Sequence, residues 1–74
     1  MLLGGMSAVV TVLRAARLEQ YAVVMEDQGF DDVEYVRTLS RDEERFREVS
    51  LRELGMRSGH AMRLIDALGR APMT

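Results

Sequence analysis

The amino-acid sequence predicts an all-α protein, a compact bundle of five helices. Over most of the chain, apolar residues recur at three- and four-residue spacing, as they do on one face of a helix. Between these stretches stand residues that begin or end helices, such as Ser7, Gly29 and Gly55. No segment shows the alternation of apolar and polar residues, bounded by hairpin turns, that is typical of β-strands. A helical domain is therefore expected.

The N-terminal part is predicted to form two helices with a break near Ala16 and Arg17. Ser7 is an N-cap type of residue, and Gly29 can adopt the left-handed conformation that ends a helix without a Cβ clash. The apolar positions at helical spacing in these two pieces are Val10, Leu13, Leu18, Tyr21 and Met25.

A third helix is expected to begin at an N-cap provided by either Asp31 or Asp32. Its apolar residues Val33, Val36 and Leu39 are spaced by three. After Ser40, the acidic residues at 42–44 suit the positive end of a helix dipole, and the 42–49 segment, with Phe46 and Val49 facing inward, extends this part of the chain.

The last two helices are predicted from their capping residues. Ser50 and Glu53 fit a capping box that opens a single turn ending at Gly55. Ser58 is expected to cap the final helix, and Gly69 and Pro72 to stop it. Its apolar stripe comprises Ala61, Leu64, Ile65 and Leu68.

Short helices such as these need one shared core to hold them together. The predicted core residues are Leu13, Leu18, Tyr21, Met25, Phe30, Val33, Val36, Leu39, Phe46, Leu51, Leu54, Leu64, Ile65 and Leu68.

Length and composition exclude several classes of function. A chain of 74 residues forms one domain, and one this short buries only about 60% of the surface of its unfolded form, which leaves little room for a deep catalytic pocket. The absence of cysteine excludes disulfides, thiolate nucleophiles, iron–sulfur clusters and thiolate zinc sites. No apolar run approaches the length of a membrane span. The expected location is intracellular, in the cytoplasm.

Charge is polarised along the chain, although its formal total is only −2. Residues 1–25 sum to +1, 26–36 to −5, 37–56 to zero and 57–74 to +2. All ten basic residues are arginine, which favours bidentate pairing with carboxylates. An acidic and a basic segment on one molecule could attract each other between copies.

The order of elements resembles the sterile alpha motif family, a five-helix bundle. The residues that carry the resemblance are Leu18-Glu19-Gln20-Tyr21 with Met25, then Gly29-Phe30-Asp31, and Leu51-Arg52-Glu53-Leu54-Gly55-Met56 running into Ser58-Gly59-His60. It covers residues 9–70, with 1–8 as an N-terminal extension and 71–74 as a C-terminal tail. The sequence departs from the family at Val12, where tryptophan is frequent, and at Ala61, where a basic residue is common.

The resemblance implies a protein interaction module that joins other such domains, in self or heterotypic pairs, through two faces. The implied mid-loop face is acidic and comprises Asp31, Asp32, Glu34, Asp42, Glu43 and Glu44. The implied end-helix face comprises Arg57, Ser58, Gly59, His60, Ala61, Met62 and Arg63, with Ala61 and Met62 as its apolar centre. Pairing of the two faces would give a head-to-tail homo-oligomer in a signalling or scaffold role.

Other functions are weighed against this one. His60 has no second histidine or cysteine with which to share a metal, so packing or capping at the helix start is favoured over a metal site. No catalytic group and no cofactor are predicted. Some sterile alpha motifs bind RNA hairpins through the start of the last helix, where Arg57 and Arg63 stand, but the acidic total makes nucleic acid the lesser alternative.

Overall fold

The computed structural model describes residues 6–70, which form five α-helices and one short 3-10 helix. The helices are α1 (Met6–Ala15), α2 (Ala22–Asp27), α3 (Val33–Ser40), α4 (Glu43–Glu53) and α5 (Ser58–Arg70), and the 3-10 helix (Glu19–Tyr21) leads into α2. There is no β-strand in this part of the chain. The all-α class and the five helices are therefore confirmed.

Helices α1 and α2 end at left-handed residues, which the sequence predicts for Gly29, while for Ala16 and Arg17 it predicts only a break. Arg17 has a φ of 62° and Gly29 a φ of 89°. In each case the next residue donates a backbone hydrogen bond five residues back, Leu18 to the Leu13 carbonyl and Phe30 to the Met25 carbonyl, both at 2.7 Å. This pattern is a Schellman motif, and Arg17 adopts it despite the steric cost that a Cβ adds in the left-handed region.

The capping residues of α3 and α4 differ in part from the prediction. The Asp32 carboxylate accepts from the Glu34 amide at 3.0 Å, so Asp32 rather than Asp31 caps α3. At α4 the cap is Asp42, which accepts from the Arg45 amide at 3.3 Å. Ser40 does not begin a helix; it lies in the last turn of α3 and its hydroxyl donates to the Arg37 carbonyl at 2.7 Å.

The separate turn predicted at 50–53 is wrong, because α4 continues through Glu53. Phe46, Ser50 and Leu54 follow one another at four-residue spacing and are all buried, so this face of α4 packs on the core. Ser50 is fully buried, and its hydroxyl has no hydrogen-bond partner among the described residues. Core packing, not capping, determines the conformation here.

Both ends of α5 also differ from the prediction. The helix begins at Ser58 itself, and the Arg57 carbonyl accepts from the Ala61 amide at 3.0 Å, so Arg57 occupies the N-cap position. Gly69 lies within the helix rather than ending it. Pro72, the second predicted stop, lies outside the described residues.

The core lies between α5 and the helices α1, α3 and α4, which all contact it. Eight predicted core residues are buried, namely Leu13, Leu18, Met25, Val36, Phe46, Leu54, Leu64 and Leu68. Tyr21, Phe30, Val33, Leu39 and Ile65 are partly buried and pack against them. Leu51 was wrongly assigned to the core: it is 40% exposed, because the continuous α4 turns it away from the buried face.

Four buried apolar residues are absent from the predicted core, namely Val9, Ala16, Met56 and Ala61. Val9 and Leu13, not Val10, form the buried face of α1. This helix begins at Met6, which packs against the core, three residues before the predicted start of the domain. Across residues 6–70, no helix combines the length and apolar character needed to cross a membrane.

Candidate protein interaction surfaces

An acidic surface lies between the end of α2 and the first turn of α3. Residues 26–34 carry five carboxylates and no basic residue, and we call this stretch the acidic segment. Its carboxylate side chains are all exposed. Asp32 is engaged as the cap of α3, and Glu34 pairs with Arg37 at 3.3 Å. Of the three residues predicted for the mid-loop face within this segment, Asp31 therefore alone has no such contact among residues 6–70.

An aromatic pair adjoins the acidic segment. The rings of Phe30 and Tyr35 stack with their centroids 6.4 Å apart and their planes 19° from parallel. Phe30 packs against the core, whereas Tyr35 is 54% exposed. Tyr35 is not predicted from the sequence, because its position beside Val36 on a polar face of α3 gives no periodic pattern. The acidic surface thus has an exposed apolar component.

The acidic residues at 42–44 do not share one environment. The carboxylate of Asp42 is used as the α4 cap. Glu43 lines a groove together with three arginines, Arg47, Arg63 and Arg70, and one other carboxylate, Asp66. Glu44 is exposed. The predicted mid-loop face therefore includes two residues next to arginine: Glu43 in this groove, and Glu34, which pairs with Arg37.

The start of α5 holds the predicted end-helix face, with one correction. Arg57, Ser58, Gly59 and Arg63 are exposed, and Met62 is 56% exposed. Ala61 is completely buried, because the first turn of α5 packs on the bundle instead of projecting beyond it. Ala61 therefore belongs to the core, and Met62 alone of the predicted apolar centre offers a contact surface.

His60 is held by a contact with Tyr21. The Tyr21 hydroxyl lies 2.5 Å from Nδ1 of His60, and the two rings meet edge to face with centroids 5.5 Å apart and an interplanar angle of 68°. This contact ties the start of α5 to the 3-10 helix, in agreement with the packing role predicted for His60. Within residues 6–70, no three histidine or acidic side chains are grouped closely enough to hold a metal ion.

A groove with a volume of about 670 Å³ lies between α4 and α5. Its apolar or small residues are Met62, Ile65 and Gly69. Its charged residues are Glu43, Arg47, Arg63, Asp66 and Arg70. We call this cavity the α4–α5 groove.

Two smaller depressions adjoin the α4–α5 groove and extend its basic character. One, of about 300 Å³, shares Glu43, Ile65 and Gly69 with it and is also lined by Arg37 and Arg41. The other, of about 320 Å³, shares Arg63, Asp66 and Arg70 and is also lined by Arg17. Together the three are lined by six of the ten arginines and by only two carboxylates.

Several of these arginines are open to an anionic partner. Arg70 pairs with Asp66, and Arg37 pairs with Glu34 while its Nε donates to the Leu68 carbonyl at 3.3 Å. Arg47 and Arg63 have no carboxylate within ion-pairing distance in the described part of the chain. This surface is not evident from the sequence, because its arginines are spread from position 17 to position 70 and come together only when the helices pack.

Comparison with known proteins gave no match: no family model, no curated protein and no solved structure is significantly similar to the chain.

Proposed function

We propose that the chain is a protein interaction module of the sterile alpha motif type, which joins copies of itself or related domains head to tail. The observation that carries the proposal is the presence of two surfaces of opposite charge on one small bundle. One is the acidic segment with the exposed Tyr35 beside it. The other is the arginine-rich surface of α5, with Met62 exposed at its first turn.

The physical consequence of two complementary surfaces is heterologous association. A contact between different patches on identical chains does not close after two copies, so it extends into a chain unless the rotation forms a ring. Opposite charges across the contact raise the association rate and set the orientation, while apolar side chains at the centre contribute contact area. Tyr35 and Met62 are the exposed side chains suited to that role, at 54% and 56% exposure.

The proposal assigns the chain a signalling or scaffold role, with no catalytic step and no cofactor, and an intracellular, cytoplasmic setting. Its test is sedimentation of the purified chain over a range of protein and salt concentrations. Growth in mass with protein concentration at low salt supports the proposal, and a chain that stays monomeric rules out self-association.

Binding of an RNA hairpin is the alternative, and the exposed Arg57 and Arg63 at the start of α5 are what favour it. Single-stranded RNA is usually bound by aromatic side chains that stack on bases. Tyr21 near this end of α5 is engaged with His60, and the exposed Tyr35 lies next to the acidic segment. Protein docking therefore has the stronger support.

A further inference from the structure

We infer that the α4–α5 groove, rather than the first turn of α5, receives the acidic segment of a second copy of this chain. The inference rests on the proposed function and adds to it the receiving surface and the partner. It makes Tyr35 of one copy the side chain that enters the groove of the next copy.

Charge complementarity is the first argument. The groove and its two adjoining depressions are lined by six arginines and two carboxylates, a formal charge of +4. The acidic segment carries five carboxylates and no basic residue, a formal charge of −5. The whole chain has a formal net charge of −2, so the basic surface is a local cluster of positive charge on an acidic protein. The acidic segment of another copy has the charge that this surface attracts.

The first turn of α5 is the weaker receptor. Ala61 is buried and the imidazole of His60 is occupied by Tyr21, which removes two of the residues expected to make contact there. Met62 and Arg63 remain exposed, but both also line the α4–α5 groove. Arg57 is exposed in front of the first turn and lines neither the groove nor its two adjoining depressions. It is the one arginine of the predicted end-helix face that the groove lacks.

The shape and apolar content of the groove suit a protein side chain. Met62 and the half-buried Ile65 provide apolar surface, and at Gly69 a Cβ would meet no atom within 4 Å, so the space above the glycine is open. An aromatic ring packs well against a methionine thioether. No aromatic residue on which a base could stack lines the groove, so a protein segment fits better than RNA.

Two glycines of α5 allow a matched test. Gly59 lies in the first turn and Gly69 in the groove, and a Cβ at either position meets no other atom within 4 Å. The same substitution, glycine to glutamate, therefore places a carboxylate on one surface or the other with open space at its Cβ. Helical content and melting temperature, measured by circular dichroism, check that both variants fold.

The experiment is sedimentation equilibrium of the wild-type chain and the two variants at low salt. We expect Gly69→Glu to weaken self-association by about tenfold or more, whereas Gly59→Glu changes it by about twofold or less, because charge repulsion acts where the acidic segment docks. Undiminished association of Gly69→Glu overturns the inference, whatever Gly59→Glu does. If Gly69→Glu fails to fold, Arg47→Glu probes the groove from the α4 side, and the same criterion applies.

A mixing experiment tests the identity of the partner. A variant with Asp31→Arg and Tyr35→Ala keeps its groove, while Gly69→Glu keeps its acidic segment. We expect each to be monomeric alone and the mixture to form a one-to-one complex that does not grow, since each retains one of the two surfaces. Failure of the mixture to associate, when the wild type does, overturns the inference but leaves the proposed function standing.

Two further outcomes count against the inference. A wild-type chain that stays monomeric overturns both the inference and homotypic association. Co-sedimentation of the wild type with an RNA hairpin at micromolar concentration, lost in Gly69→Glu, assigns the groove to nucleic acid and overturns the inference alone.

Discussion

Tyr21 and His60 are 39 positions apart in the sequence, yet the tyrosine hydroxyl lies 2.5 Å from Nδ1 of the imidazole. The contact is partly buried and joins the 3-10 helix to the first turn of α5. It fixes the side chain of His60, and so it limits what the start of α5 can offer to a partner.

Replacing Tyr21 by phenylalanine tests this contact. The ring remains to pack on His60 but the hydrogen bond is lost, so we expect Tyr21→Phe to lower the free energy of unfolding by about 0.5–1.5 kcal/mol. Urea denaturation followed by circular dichroism measures the change. Tyr35→Phe is the control, because Tyr35 is exposed and should tolerate the loss of its hydroxyl. An equal loss of stability in both variants would contradict the assigned role.

Ser50 gives a second prediction, since its buried hydroxyl has no partner among the described residues. A buried polar group without a hydrogen bond is unfavourable, so Ser50→Ala should leave stability unchanged or raise it by about 1 kcal/mol. By contrast, Phe46→Ala, one turn earlier on the same buried face, should cost about 3–5 kcal/mol through lost burial and a cavity. Thermal and chemical denaturation distinguish the two outcomes, and marked destabilisation by Ser50→Ala would mean that the hydroxyl has a partner.

Ala61 and Met62 are neighbours in the sequence with opposite surroundings, the first fully buried and the second 56% exposed. Ala61→Asp would place an unpaired carboxylate in the core, which is energetically costly. Native domains are stable by only about 5–15 kcal/mol, so we expect this variant to unfold. Met62→Asp should keep the helical spectrum. A folded Ala61→Asp variant would show that the first turn of α5 is a surface after all.

Features of this fold that depend on a few neighbouring residues can be predicted from the sequence, whereas features that depend on packing between helices cannot. The breaks at Gly29 and Gly55 depend on the local chemistry of a few residues, and the sequence identifies them. For the same reason it narrows the α3 cap to Asp31 or Asp32, of which Asp32 is the cap. Ser50 has the chemistry of a cap, but its position on the buried face of α4 decides its conformation instead. Ala61 lies in a first turn, and only the packing of other helices reveals that it is covered.

The candidate site shows the same limit. The acidic segment is contiguous in the sequence, so counting charges finds it. The α4–α5 groove brings Arg47 next to Gly69, which is 22 positions away. In the sequence Arg47 lies in a stretch of zero net charge, and it lines one groove with Arg63 and Arg70 only when α4 packs on α5. No sequence pattern predicts that surface.

RNA binding provides a fourth prediction. Phosphate contacts make the affinity of a protein for nucleic acid fall steeply as salt is added. With a formal charge of −2 on the chain, we expect no specific binding of hairpin RNA, as measured by fluorescence anisotropy at low salt. Micromolar or tighter binding to a defined loop, abolished by Arg57→Glu together with Arg63→Glu, would contradict the preference for protein docking.

The central claim is that copies of this chain associate through surfaces of opposite charge. Analytical ultracentrifugation, with protein up to millimolar concentration, tests it most directly at about 0.01 M and about 1 M salt, where the Debye length is about 30 Å and about 3 Å. We predict that the average mass rises with protein concentration at low salt and that this rise is largely suppressed at high salt. A single monomeric species at every concentration at low salt would contradict the claim.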